Sequence, residues 1–202
     1  MKIKRLIQGS LESNCYVIYH HKGGDCMIID PGYNANKILT FINEMELHPQ
    51  GIILTHMHHD HVGAVETIKS KIDVKAYMHA LDAEVYKGKI DRPLYGGESI
   101  MLEDEELKII HTPGHSRGSI CIMSDESKVC FTGDTIFDID LGRTDLAGGS
   151  EDEMILTVKN VISTWDNSIT IYPGHDTSAT MKQVRKYNTE YLAIMQGELD
   201  VN

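Results

Sequence analysis

The feature that most constrains this chain of 202 residues is the heptapeptide Thr55-His56-Met57-His58-His59-Asp60-His61, set directly behind the apolar run Gly51–Leu54. An apolar run that stops at such a polar cluster reads as a buried strand feeding a loop. Alternate residues leaving a strand point the same way, so His56 and His58 can share a face. Asp60 and His61 fall where a helix opens at Val62-Gly63, and can turn toward a neighbouring point. Four nitrogen or oxygen donors within six residues exceed what one tetrahedral ion takes from a single loop. A solvated histidine-rich loop would not need the apolar strand in front of it. The heptapeptide is a metal-binding loop.

The rest of the chain is punctuated in the same style. Strand-like stretches occur at Cys15–Tyr19, Cys26–Asp30, Gly51–Thr55, Val74–Met78, Leu107–His111, Ile120–Ser124, Val129–Thr132 and Ile169–Tyr172. Helical periodicity occurs at Ala35–Glu46, Val62–Lys71, Glu151–Ser163 and Ala179–Tyr191. Asp30-Pro31-Gly32, Thr112-Pro113-Gly114 and Tyr172-Pro173-Gly174 each end a strand with a turn. Strands lead, a helix follows, and the order repeats in the second half. This predicts one α/β domain over residues 1–202, with two packed sheets and helices on the outer faces. A parallel α/β fold with right-handed crossovers satisfies the same periodicity.

Charge narrows the partners. Nineteen Lys and Arg against thirty Asp and Glu leave −11, which repels phosphate backbones and anionic lipid and argues against nucleic acid and membrane surfaces. No apolar run approaches the ~20 residues of a membrane span, and the basic start Met1–Leu6 lacks the apolar core of a signal peptide. The expectation is a cytoplasmic protein. Cys15, Cys26, Cys121 and Cys130 stand singly, so they read as reduced, buried small hydrophobes. The sequence leaves the oligomeric state open.

Three further donors recur just past apolar strands. They are His115 in Thr112-Pro113-Gly114-His115, Asp134 in Phe131-Thr132-Gly133-Asp134, and His175 in Tyr172-Pro173-Gly174-His175. Each alone fits a turn residue. With the loop they make seven candidates: His56, His58, Asp60, His61, His115, Asp134 and His175. That number suits two adjacent ions when one carboxylate bridges them and a hydroxide completes the site.

The ordered set His-x-His-x-Asp-His, Gly-His, Gly-Asp, Gly-His resembles the metallo-β-lactamase fold superfamily, over about Cys15 to Tyr191. Gly142-Arg143-Thr144-Asp145-Leu146-Ala147-Gly148-Gly149-Ser150 resembles the glyoxalase II-like hydrolases and the related persulfide dioxygenases. The tail Thr180-Met181…Arg185…Asn188 is similar to the glyoxalase II-like end, with Val184 and Thr189 departing from it. The resemblance implies a four-layer αβ/βα sandwich. It also implies one divalent metal on His56, His58 and His115, a second on Asp60, His61 and His175, and Asp134 as the bridge.

The departures narrow the relatives. β-Lactamases of this fold do not use Asp where Asp134 stands, and the diiron flavoproteins carry Glu where His58 stands. The nucleases rely on an added domain or a basic arm that has no counterpart here. Glyoxalase II carries a C-terminal helical domain that grips glutathione. Only 27 residues follow His175, room for one helix, so that domain is expected to be missing. Arg143 and Arg185 are the first candidates for a substitute grip, although Arg143 and Asp145 also read as a pair bracing their loop.

The expected function is a dinuclear metallohydrolase that cleaves a small thioester, an acylated glutathione-like thiol being the leading type. A metal-bound hydroxide attacks, and Asp60 serves both as ligand and as the residue that orients it. Zinc is expected first, with iron or manganese compatible with mixed imidazole and carboxylate donors. A thiolate, with a pKa of ~8.5, leaves without help from an acid. The alternative is a persulfide dioxygenase with a single Fe(II) on His56, His115 and Asp134, because Gly142-Arg143-Thr144-Asp145 is shared with that group.

Overall fold

In the computed structural model, which describes residues 1–201, every residue of the second strand is buried. Only a strand covered on both faces achieves this. The first half runs β1 (Lys2–Gln8), β2 (Ser13–Tyr19), β3 (Asp25–Ile29), α1 (Ala35–Glu44), β4 (His48–Ile53), α2 (His59–Val62), α3 (Val65–Lys69), β5 (Ala76–His79), α4 (Ala80–Ala83) and β6 (Arg92–Leu94). The second half runs β7 (Ser99–Leu102), β8 (Glu105–His111), β9 (Ile120–Ser124), β10 (Val129–Gly133), α5 (Glu151–Asn160), a 3₁₀ turn at Ile162–Thr164, β11 (Thr170–Pro173), β12 (Ala179–Thr180), α6 (Met181–Tyr187) and α7 (Thr189–Gln196).

Each half builds one six-stranded sheet, ordered β1-β2-β3-β4-β5-β6 and β12-β11-β10-β9-β8-β7. Both sheets are mixed: β3 to β6 pair in parallel, as do β10 and β11. Successive side chains of a strand face opposite ways, and the burial follows that period of two. From β2, Cys15 and Val17 join Ile38 and Ile42 of α1 in an outer core. Tyr16 and Ile18 instead meet Ile122 and Phe131 of the other sheet in a central core. A third core packs α5, α6 and α7 on the second sheet through Ile155, Val158, Val184 and Ile194. The layers are therefore helix, sheet, sheet, helix, and the purely parallel alternative is excluded by the antiparallel pairs β1/β2, β2/β3 and β7 to β10. All four cysteines are free and buried. Among the described residues no helix is long and apolar enough to cross a membrane.

Cross-sheet hydrogen bonds fix the end of the sandwich where the candidate residues lie. The amide of Ile120 donates to the Thr55 carbonyl at 2.9 Å, and that of Asn14 to Gly174 at 2.7 Å. The Asn14 side chain and the Tyr16 hydroxyl both donate to the Pro173 carbonyl, at 2.9 and 2.6 Å. The loops after β4, β8, β10 and β11 thus leave their strands toward one seam, at the carboxyl ends where α/β folds place their sites.

The structure departs from the sequence reading in three places. The helix expected over Ala179–Tyr191 is a two-residue strand followed by two helices broken at Asn188, so two helices follow His175 rather than one. The helix expected over Val62–Lys71 narrows to Val65–Lys69, preceded by the single turn of α2. Four strands, β1, β6, β7 and β12, were not in the expected set. β1 is an edge strand whose exposed lysines alternate with half-buried residues, which dilutes the apolar signal.

Asn188 explains the helix break. It is fully buried, its amide donates to the carbonyls of Phe137 (3.1 Å) and Asp140 (2.7 Å), and its oxygen caps α7 by accepting from the Tyr191 amide at 2.8 Å. Asn188→Ala removes a cap and strands two carbonyls. Its expected cost is about 2–4 kcal/mol of unfolding free energy, measured by urea denaturation. A loss below about 1 kcal/mol would show that these bonds do not hold the terminal helices.

Candidate metal centre

All seven candidates meet at the seam. The heptapeptide leaves β4 so that the His56 and His58 rings lie 4.8 Å apart, and His115 lies 4.8 Å from His56 and 4.6 Å from His58. The potential ligand atoms of His56, His58 and His115 lie within 4.8 Å of one another, as do those of Asp60, His61 and His175. Asp134 stands between the two sets. Its Oδ2 is 3.9 Å from His56 Nε2, 3.6 Å from His115 Nε2 and 3.6 Å from His175 Nε2, while its Oδ1 is 3.4 Å from His61 Nε2. Asp60 Oδ2 faces His175 at 3.1 Å and His61 at 3.4 Å. His59, between the candidate ligand positions, turns outward to the Tyr33 hydroxyl.

The far nitrogen of each of four rings is held from outside. Thr55 Oγ1 faces His56 Nδ1 at 3.0 Å, and Asp30 Oδ2 faces His61 Nδ1 at 3.1 Å. The carbonyls of Arg143 and Leu11 accept from Nδ1 of His115 and His175 at 2.7 and 2.9 Å. An imidazole that donates from Nδ1 presents a bare lone pair at Nε2. Those lone pairs point into the cluster. His56 Nε2, His61 Nε2 and Asp134 Oδ1 are buried there without any hydrogen-bond partner, a costly arrangement for a polar protein interior. His58 Nδ1 and His115 Nε2 face each other at 2.8 Å. The residues present fit a pair of cations.

Two positioning carboxylates escaped the sequence reading. Asp30, in the turn after β3, accepts from the Thr55 amide (2.8 Å) and hydroxyl (2.6 Å) as well as from His61. Its oxygens lie within reach of His56 and His61, but they are occupied by these donors. Asp82 of α4 accepts from the amides of Met57 (2.9 Å) and Gly118 (2.7 Å) and from the Ser116 hydroxyl (2.7 Å). It thereby ties the heptapeptide to the His115 turn. Asp-Pro-Gly behind a strand was the available signal for Asp30, whereas nothing local distinguishes Asp82. Gly142 and Gly174 matter sterically, because a Cβ at either would collide with Asp134.

Electrostatics divides the two sets. Burial, reinforced by the neighbouring imidazoles, pulls His56 well below the usual histidine range and also lowers His58. Burial acts the same way on His61 and His175, but carboxylates outweigh it: Asp134, Asp30 and Asp60 raise His61, and Asp60 with Asp134 raises His175. Burial pushes Asp60 upward, yet the adjoining imidazoles of His175 and His61 leave it far below the normal carboxylate range. One set is built of imidazoles alone, two of them pushed toward the neutral form, while the other sets its imidazoles against the Asp60 carboxylate.

A cavity of about 410 Å³ opens over the cluster, walled by Leu11, Phe137, Leu146 and Arg143. Neither arginine considered for a glutathione grip has a free head. Arg143 is bidentate to Asp145 at 2.7 and 2.8 Å. Arg185 is spent on Asn167 and the carbonyls of Ser163 and Trp165.

Comparison with known proteins agrees with this geometry. The hydroxyacylglutathione hydrolase GloC of Haemophilus influenzae is 29% identical over 206 residues, covering 93% of this chain and 97% of its own. The crystal structure of the BLEG-1 B3 metallo-beta-lactamase superposes with a TM-score of 0.86 at 28% identity, over 93% of this chain and 98% of that one. TTHA1623 in a di-iron-bound form superposes with a TM-score of 0.83 at 28% identity, over 92% and 98%. The model of the metallo-beta-lactamase superfamily matches residues 9–194, and with a sandwich of this topology around such a cluster, the chain belongs to that superfamily.

Proposed function

We propose that the protein is a metal-dependent hydrolase of small thioesters, with an acylated glutathione-like thiol as substrate. The observation that carries this reading is the inward convergence of unpartnered ring nitrogens and the Asp134 carboxylate beneath an open cavity. His56, His58 and His115 would hold one divalent ion, Asp60, His61 and His175 a second, and Asp134 would bridge them. When bound, such a pair supplies Lewis acidity toward a carbonyl and toward water.

The chain's own groups do the rest. Asp60, partly open to the cavity, would accept a hydrogen bond from the O–H of the attacking water and so orient it. Leu11, Phe137 and Leu146 give the cavity an apolar wall against which the acyl chain would pack. Apart from the candidate ligands, Arg143 is the only titratable residue on the cavity wall, and Asp145 occupies it. A site without a separate proton donor suits a leaving group stable as an anion, and a thiolate (pKa ~8.5) is one. An amide leaving group would need an acid that the wall does not offer. The likeness to GloC supports the same substrate class.

The deciding experiment uses protein purified without added metal and assayed against acylglutathiones, with nitrocefin as a β-lactam control and glutathione persulfide in an oxygen electrode. Thioester hydrolysis is expected, abolished by chelation and restored by Zn(II), with nitrocefin intact and no oxygen taken up. Oxygen consumption matched to persulfide loss would replace this reading with an Fe(II) dioxygenase. Elemental analysis is expected to give about two ions per chain, as two donor sets imply. A stoichiometry of one in metal-replete protein, with His61 and His175 unliganded, would sink the dinuclear assignment. Asp134→Ala is expected to abolish turnover and lower metal content while the circular dichroism spectrum keeps its native form. A variant with full rate and both ions would show that Asp134 bridges nothing.

A further inference from the structure

A second cavity, of about 320 Å³, lies beside the metal centre. Its wall is aliphatic, from Met57, Leu81, Val85 and Ala147, and its polar lining is Asp82 and Arg117. The two cavities share their flanking segments. Met57 precedes His58, and Ala147 follows Leu146, while His58 and Leu146 line the cavity over the cluster. Val85 leaves 58% of its surface in solvent at this slot.

Arg117 is exposed, and among the described residues its guanidinium has no hydrogen bond or ion pair. Arg5, Arg143 and Arg185 are all engaged. Arg92, the other arginine without a partner, sits on the edge strand β6. The backbone beneath Arg117 is fixed from both sides. His111 Nε2 donates to the Arg117 carbonyl at 2.9 Å, and the His111 ring stacks on His79 at 4.1 Å with an 8° tilt. Asp82 holds the Gly118 amide, the Ser116 hydroxyl and the Met57 amide. The segment that carries this unpaired guanidinium is fixed, and Asp82 sets its register against both His58 and His115, so the head can reach an anion seated in the slot.

We infer that this slot is a substrate subsite, in which Arg117 binds a carboxylate on the thiol carrier and the aliphatic wall takes the methylenes leading to it. The inference rests on the thioester reading and supplies the carrier grip that Arg143 and Arg185 do not. The anion is a carboxylate rather than a phosphate for two reasons. A single guanidinium carries one positive charge, which balances a carboxylate held by two parallel hydrogen bonds but leaves a phosphate dianion half compensated. A dianion would also face the Asp82 carboxylate in the same lining, where Arg117 is the one cationic side chain.

The test measures binding separately from turnover. Calorimetry on the metal-loaded protein compares S-hexylglutathione, its dimethyl ester, and a phosphate-bearing S-hexyl pantetheine. The free carboxylate form is expected to bind at least tenfold tighter than the ester, a preference that Arg117→Ala erases and Arg92→Ala leaves in place. The same carboxylate preference is expected in kcat/KM for the matching acyl thioesters. Equal affinity for acid and ester, a preference that survives Arg117→Ala, or tighter binding of the phosphate form each overturns the subsite. Arg117-dependent binding without any thioester turnover supports the subsite and overturns only the hydrolase reading.

Discussion

The site depends on one buried carboxylate that is not among the candidate ligands. Asp30 sits at the end of β3 and receives three donors, two from Thr55 and one from His61. The Thr55 amide takes one oxygen, and the Thr55 hydroxyl and His61 share the other, so a buried charge that would be costly alone is met on both oxygens. The backbone of Asp30 adopts a left-handed conformation, with φ of 49°, which is sparsely populated for a residue with a side chain. That local strain is offset by the bonds it makes possible. The heptapeptide is thereby welded to the strand beside it, and the His61 ring is turned so that its other nitrogen faces inward.

From that fixed point the remaining geometry follows by reciprocal ties. Thr55, held by Asp30, offers its carbonyl to Ile120 in the other sheet, and Asp82 joins the heptapeptide to the turn that carries His115. Asn14 and Tyr16 of β2 secure Pro173 and Gly174, and so the turn that carries His175. Four of the candidate rings, His56, His61, His115 and His175, are held at their far nitrogen by backbone carbonyls or by Thr55 and Asp30. A cluster of bare ring nitrogens and carboxylates can therefore persist at the seam of two hydrophobic sheets.

The candidate site was more legible in the sequence than its supports were. His56, His58, Asp60 and His61 announce themselves because four donors crowd one short loop, and His115, Asp134 and His175 because each trails an apolar strand by a glycine-marked turn. The central strands were legible for the same reason: burial on both faces demands continuous Val and Ile. β1 was not, because Lys2 and Lys4 on an edge break the apolar pattern while backbone pairing with β2 carries the strand. Asp82 was hidden because its role is defined by partners at positions 57, 116 and 118, which no local window contains. The break at Asn188 was hidden because periodicity continues through it, while the carbonyls that capture its amide belong to the loop after β10.

The spacing of the candidate ligands has a consequence for the order in which the molecule is made. The heptapeptide belongs to the first half of the chain, yet His175 follows it by more than half the chain's length, in the turn after the next-to-last strand. During synthesis from the N-terminus, the first sheet can pair and bury its outer core while the metal loop still lacks its partners. The nascent chain therefore passes through a long interval in which its candidate metal loop is displayed without the donors from the second sheet. Completion of the centre coincides with docking of the second sheet, so a correctly filled site would report that both halves have been assembled.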